Sequence, residues 1–130
     1  MSRIPTKQME QAVDKIYHSP VVDTVEFGRY KEHKVTHSFD VYRRTHTWEY
    51  THYGTLCCRV AFENGRYKIR VTIGSGCWSI TDSNNINGFL YCLEVPRVRV
   101  YNHNNDIRLK IDGNKTTYTQ IVIEGEYAYH

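Results

Sequence analysis

Apolar residues recur at spacings of three and four at Met9, Ala12, Val13, Ile16 and Tyr17, then settle into alternation over much of the remaining chain. The first spacing predicts a helix over about residues 6–18, with Lys7, Gln11, Asp14 and Lys15 on its polar side and Ser19-Pro20 ending it. Such a helix has one apolar stripe and needs a surface to bury it, here expected to be a sheet. The alternation runs through Val21, Val25 and Phe27, then Val35, His37, Phe39 and Val41, then Trp48, Tyr50 and His52, which predicts strands with one buried face. His37 and His52 fall in apolar registers, where a hydrogen-bonded or edge histidine is commoner than a metal ligand.

Asn64-Gly65 is the strongest turn signal, because both residues accept the positive φ of a two-residue hairpin turn. A hairpin over about residues 55–73 follows, with Phe62 facing Tyr67, Val60 facing Ile69, Cys58 facing Val71 and Leu56 facing Ile73 on the inner side. The outer side then sets Ala61 against Lys68, Arg59 against Arg70 and Cys57 against Thr72. A second hairpin over about residues 95–111 turns at Asn102-His103-Asn104-Asn105, with Val100 facing Ile107 and Val98 facing Leu109 inside, and Arg99 facing Arg108 and Arg97 facing Lys110 outside. A third turn at Asp112-Gly113-Asn114-Lys115 leads to a last strand within residues 117–124. Between the hairpins, Trp78 and Ile80 are expected to anchor a strand in the core. Thr81, Asp82 or Ser83 then caps a short helix over about residues 83–93, carried by Ile86, Phe89, Leu90 and Leu93. Gly88 weakens that helix by about 1 kcal/mol relative to alanine, and a strand from Phe89 to Val95 is the alternative. The fold class expected is α+β: a strongly twisted or partly closed antiparallel sheet with an N-terminal helix and one short internal helix.

Composition narrows this further. At 130 residues the chain is expected to be one domain, and 13% aromatic content with 24% charged residues is unlike a disordered segment. No apolar run approaches the ~20 residues needed to cross a bilayer, and Met1 to Glu10 lacks a signal-peptide core, so a cytoplasmic protein without membrane contact is expected. Cys57, Cys58, Cys77 and Cys92 include no C-x-x-C pair, so neither a disulfide framework nor a zinc site is expected, and no cofactor is implied. Cys58 is expected to face inward and Cys57 outward beside arginine. Motifs for zinc proteases, α/β-hydrolases and phosphate-binding loops are absent from the sequence. A small metal-dependent nuclease or hydrolase built from His33, His37, His46, His52, Asp40 and Glu49 is retained as a third possibility behind two binding functions.

The net charge is only +3, so placement matters more than total. Arg59, Lys68, Arg70, Arg97, Arg99, Arg108 and Lys110 fall on the outer faces of the two hairpins, with Tyr42, Tyr53 and Tyr101 as candidate anchors. Like charges directly opposite each other destabilise a sheet unless something anionic answers them. The bland alternative is solvated charge interleaved with Glu63, Glu94 and Asp106, or with acids from a neighbouring strand. Arginine and tyrosine suit both protein hot spots and phosphate backbones.

Tyr53-Gly54-Thr55, then Trp78-Ser79-Ile80-Thr81-Asp82-Ser83, then Ile86-Asn87 form a pattern that resembles one in short phage-encoded proteins of unknown function. The resemblance spans Tyr53 to Leu93, departs at Asp82 and at Asn84-Asn85, and supplies no catalytic residue. It implies a phage or mobile-element origin, where small accessory proteins bind and disable host defence complexes, as anti-CRISPR proteins do. The expected function is therefore a non-enzymatic inhibitor of a host protein or ribonucleoprotein complex, acting as a monomer or homodimer in the cytoplasm of an infected bacterial host. The alternative is a direct nucleic-acid-binding protein.

Overall fold

A computed structural model describes residues 6–19, 21–63 and 67–125. Among these residues two helices, α1 (Thr6–Tyr17) and α2 (Ile80–Cys92), accompany nine strands. These are β1 (Thr24–Phe27), β2 (His33–Asp40), β3 (Thr45–His52), β4 (Thr55–Glu63), β5 (Lys68–Ile73), β6 (Val98–His103), β7 (Asp106–Ile111), β8 (Asn114–Lys115) and β9 (Gln120–Glu124). The fold is α+β. One antiparallel sheet has the order β1-β2-β3-β4-β5-β9 and a smaller one the order β6-β7-β8, so the large sheet is open at β1 and β9 and no barrel closes. The Val35 segment lies inside the sheet because β1 covers it, and β9 is an edge.

Both hairpins slip by two positions and keep most of the expected inner residues, but Tyr67, expected opposite Phe62 on the inner side, is 48% exposed. Cys58 faces Ile73, Val60 faces Val71 and Phe62 faces Ile69, so the connection runs from Glu63 to Lys68 and is longer than a two-residue turn. The Asn64-Gly65 turn itself lies outside the described residues. In the second hairpin Val98 faces Ile111 and Val100 faces Leu109, and the turn shortens to Asn104-Asn105. These two residues have φ of 46° and 61°, the left-handed pair that a tight hairpin requires. A two-residue slip returns every side chain to its own face, so hydrophobic alternation selects the face and leaves the slip open.

Met9, Ala12, Val13 and Ile16 of α1 are buried together with Val35, Trp48, Tyr50, Val60, Phe62, Ile69 and Val71 of the large sheet, and with Ile86, Phe89 and Leu90 of α2. The same core continues into Val98, Val100, Ile107 and Leu109 of the small sheet. Helix α2 starts earlier than expected because Ser79 is its N-cap: Ser79 Oγ accepts from Asp82 N, and Asp82 Oδ2 accepts from Ser79 N. That start turns Asp82, Ile86, Phe89, Leu90 and Leu93 inward. Trp78 and Ile80, expected in the core, are instead 58% and 71% exposed, because residues 74–79 form a loop rather than a strand.

Candidate binding surface and a buried cysteine–histidine cluster

The basic residues singled out by the sequence divide between the two sheets. On the large sheet they are answered by acids. Glu49 faces Arg59 across β3 and β4, and its carboxylate accepts from Arg59 Nε at 2.8 Å and Nη2 at 2.7 Å. Arg70 Nε donates to Glu63 at 3.1 Å, and Lys68 Nζ lies 3.7 Å from Glu124. Arg59 stands opposite Thr72 and Arg70 opposite Ala61, so the expected arginine pair does not form. This face is an interleaved charge ladder, and the paired cations leave little net charge for an anionic ligand.

The small sheet is different. Its ladder sets Arg99 beside Lys110 and Lys110 beside Lys115, a row of three cations across β6, β7 and β8, with Arg108 opposite Tyr101. The expected pairs Arg99–Arg108 and Arg97–Lys110 are replaced by this register. Arg97 lies just before β6 and makes a bidentate bond to Asp112, with both N···O distances 2.9 Å, and Arg108 pairs with Asp106. Hydrogen bonding, from the Ile107 backbone and then Arg108 for Asp106 and from Arg97 for Asp112, holds both carboxyls below the usual range. Arg99 donates through Nη1 to the carbonyls of Val95 at 2.9 Å and Val98 at 2.6 Å, which fixes its guanidinium. Lys110 forms no ion pair or hydrogen bond among the described residues. Between residues 95 and 119 the cations are Arg97, Arg99, Arg108, Lys110 and Lys115 and the acids are Asp106 and Asp112, so this segment alone carries the formal +3 of the whole chain.

The three tyrosines are not equivalent. Tyr101 is half-buried: its hydroxyl donates to the Thr116 carbonyl and Lys115 Nζ sits 5.2 Å from its ring centre. Tyr42 is 96% exposed at the β2–β3 turn, beside exposed Phe39, Val41, Arg43 and Arg44. Tyr53 is exposed in the β3–β4 turn, with its ring tilted against His52. Lys115 was not anticipated. It lies on a two-residue strand, too short to leave a pattern.

The histidine-rich segment does not assemble into one site. His37 and His46 meet through Nε2 and Nδ1 at 2.8 Å, with Phe39 stacked on His46. His33 and His52 are cross-strand neighbours stacked at 4.7 Å, and His33 Nδ1 bonds the Tyr50 hydroxyl at 2.9 Å. Asp40 is exposed at the turn and Glu49 lies on the opposite face with Arg59. Burial pushes His33, His37 and His46 below the ordinary histidine pKa.

His52 points instead towards α2. Its Nδ1 is 3.4 Å from Asp82 Oδ1, while Asp82 Oδ2 accepts from the amides of Trp78 and Ser79, each at 3.3 Å. Cys57, expected to face outward, is fully buried. The reason is a β-bulge: Tyr50 pairs with Cys58 and Thr51 with Leu56, leaving Cys57 as the extra residue. Its thiol is raised well above the usual range, first by hydrogen bonding to Cys77 and then by burial. Among the described residues, Cys57, Cys77 and Asp82 have donors close enough to hold a metal together.

No protein-family model matches the chain, and no curated protein or solved structure matches it. The residues of the phage-like pattern have local structural work. Tyr53 and Gly54, with φ of 50° and 78°, make the tight β3–β4 turn. Ser79 and Asp82 form the α2 cap, and Asn87 bonds both backbone polar groups of Val100.

Proposed function

We propose that this chain is a non-enzymatic binding protein whose contact face is the outer side of the small sheet, centred on Arg99, Lys110 and Lys115 with Arg108 beside them. The observation that carries this is the cross-strand row of three cations, with Lys110 unpaired among the described residues, while Arg59, Lys68 and Arg70 of the large sheet are matched by glutamates. Three like charges in one ladder row repel and lower the stability of the sheet, and an anionic partner relieves that repulsion. The partner class is an acidic surface of a host protein or ribonucleoprotein complex, with the phage-like pattern as the support for a host-defence target. Tyr42, with Phe39 and Val41 at the β2–β3 turn, offers a second, apolar contact.

Direct binding to nucleic acid is the second reading, favoured by the same row. Binding to a random-sequence duplex and to polyglutamate, each at low and at physiological salt, separates the two. Tight duplex binding that weakens steeply with salt favours phosphate contacts through counterion release. Failure to bind either polymer at low salt contradicts an anion-binding face.

A further inference from the structure

A buried cluster of metal-ligating side chains lies between the start of β4 and the start of α2. Cys57 Sγ, Cys77 Sγ and an Asp82 carboxylate oxygen lie within 4.8 Å of one another, and all three residues are buried. His52 is also buried; its Nδ1 approaches Asp82 Oδ1 at 3.4 Å, and its Nε2 has no hydrogen-bond partner among the described residues. Burying two thiols, a carboxylate and an imidazole against one another is costly unless something satisfies them. Asp82 is held by the amides of Trp78 and Ser79, but apart from each other the two thiols have only long contacts: Cys57 Sγ is 3.6 Å from the Thr55 carbonyl and Cys77 Sγ 3.8 Å from that of Leu56.

Three separate backbone devices bring these donors together. The β4 bulge turns Cys57 inward. The capping box fixes Asp82 at the third position of α2. The loop carrying Cys77 packs tightly onto β4: a Cβ on Gly74 would lie 1.8 Å from the Leu56 carbonyl oxygen, and one on Gly76 would lie 2.6 Å from Thr55 Cγ2. Glycine at 74 therefore lets the loop reach Cys57, since the Leu56 backbone leaves no room for a side chain there, while at 76 the Thr55 side chain would have to shift.

We propose that Cys57, Cys77 and Asp82 form a structural site for a borderline-soft divalent cation, zinc by the chemistry of the donor set, with His52 orienting Asp82 from outside it. Two sulfurs and one carboxylate oxygen suit Zn²⁺ and leave one tetrahedral position open. Zinc bonds of about 2.0–2.3 Å place neighbouring donors about 3.2–3.8 Å apart, so the cluster needs only a small contraction about the ion. Binding displaces the two thiol protons to solvent and leaves two thiolates on the metal. The three donors come from β4, the Cys77 loop and α2, so the ion would pin the Cys77 loop and the start of α2 to the sheet. Their spacing is Cys-x19-Cys-x4-Asp, unlike the usual zinc pairs.

The test is a Co²⁺ titration of the full chain after chelation and reduction, with circular dichroism confirming the fold. One equivalent of Co²⁺ is expected to produce thiolate-to-cobalt charge-transfer absorption and tetrahedral ligand-field bands, both abolished by one equivalent of Zn²⁺. Cys57→Ser and Cys77→Ser should each lose at least half of the charge-transfer band, whereas Cys92→Ser should retain it. His52→Ala should weaken Co²⁺ binding about tenfold by releasing Asp82; unchanged affinity there overturns the orienting role of His52. A folded, reduced wild-type chain without thiolate absorption overturns the site. So does a Cys57–Cys77 disulfide that forms on isolation without reductant in metal-free protein that then takes up no metal after reduction. The readout involves no macromolecular partner, so its failure and failure of the basic binding face are separate results.

Discussion

Asn87 acts as a surrogate neighbouring strand, which makes its removal informative. Among the described residues strand β6 pairs with β7 alone, and the other edge of its backbone faces α2. There Asn87 Oδ1 accepts from Val100 N at 2.8 Å and Asn87 Nδ2 donates to Val100 O at 3.1 Å. Val100 itself is buried at 2% exposure, so Asn87→Ala strands one donor and one acceptor. Each buried unsatisfied group costs about 1–3 kcal/mol. Because Asn87 is half-buried, some water can enter, and a total of about 2–4 kcal/mol is expected. In urea the midpoint should fall with the m-value unchanged, and Tm should drop by about 10 °C. The Val100 amide should exchange with solvent faster even in the folded chain. Asn84→Ala, on the exposed side of the same helix, should stay within about 0.5 kcal/mol of wild type. If Asn87→Ala also stays within about 0.5 kcal/mol, the two bonds are not what joins α2 to the small sheet.

Gly74→Ala should destabilise the chain by several kcal/mol, since its methyl would overlap the Leu56 backbone oxygen rather than a movable side chain, and an unchanged urea midpoint would contradict that packing. Stability should also decline with acid. His33, His37 and His46 have folded pKa values depressed by burial, so their contribution is complete above the unfolded value of about 6.5 and is lost as pH falls from there through the folded values. Urea midpoints measured from about pH 8 to about pH 5 should fall, and His33→Gln should flatten that fall; a midpoint constant over this range contradicts the assignment.

The helical stripe of α1 and the inner faces of both hairpins were legible because burial imposes a period on the chain. The registers were not, because a slip of two preserves that period, and the turn at Asn104-Asn105 had to be distinguished from a four-residue loop containing the same residues. That slip mattered for function. It moved Arg59 and Arg70 apart and set Arg99, Lys110 and Lys115 in one row. The neutralising Glu49 comes from β3, and no local pattern in the hairpin announces it. Cys57 was misplaced because a bulge without glycine leaves no mark in the alternation, and Trp78 and Ile80 because the Ser79 cap starts α2 sooner than its apolar spacing suggests.

The most direct measurement compares charge reversal on the two sheets. Arg108→Glu, Lys110→Glu and Lys115→Glu combined, and separately Arg59→Glu, Lys68→Glu and Arg70→Glu combined, are assayed for duplex and polyglutamate binding at low salt, with circular dichroism confirming each fold. The small-sheet variant is expected to lose binding to both polymers and the large-sheet variant to retain most of it. Equal loss in both variants, or loss in the large-sheet variant alone, would contradict the assignment of the binding face to Arg99, Lys110 and Lys115.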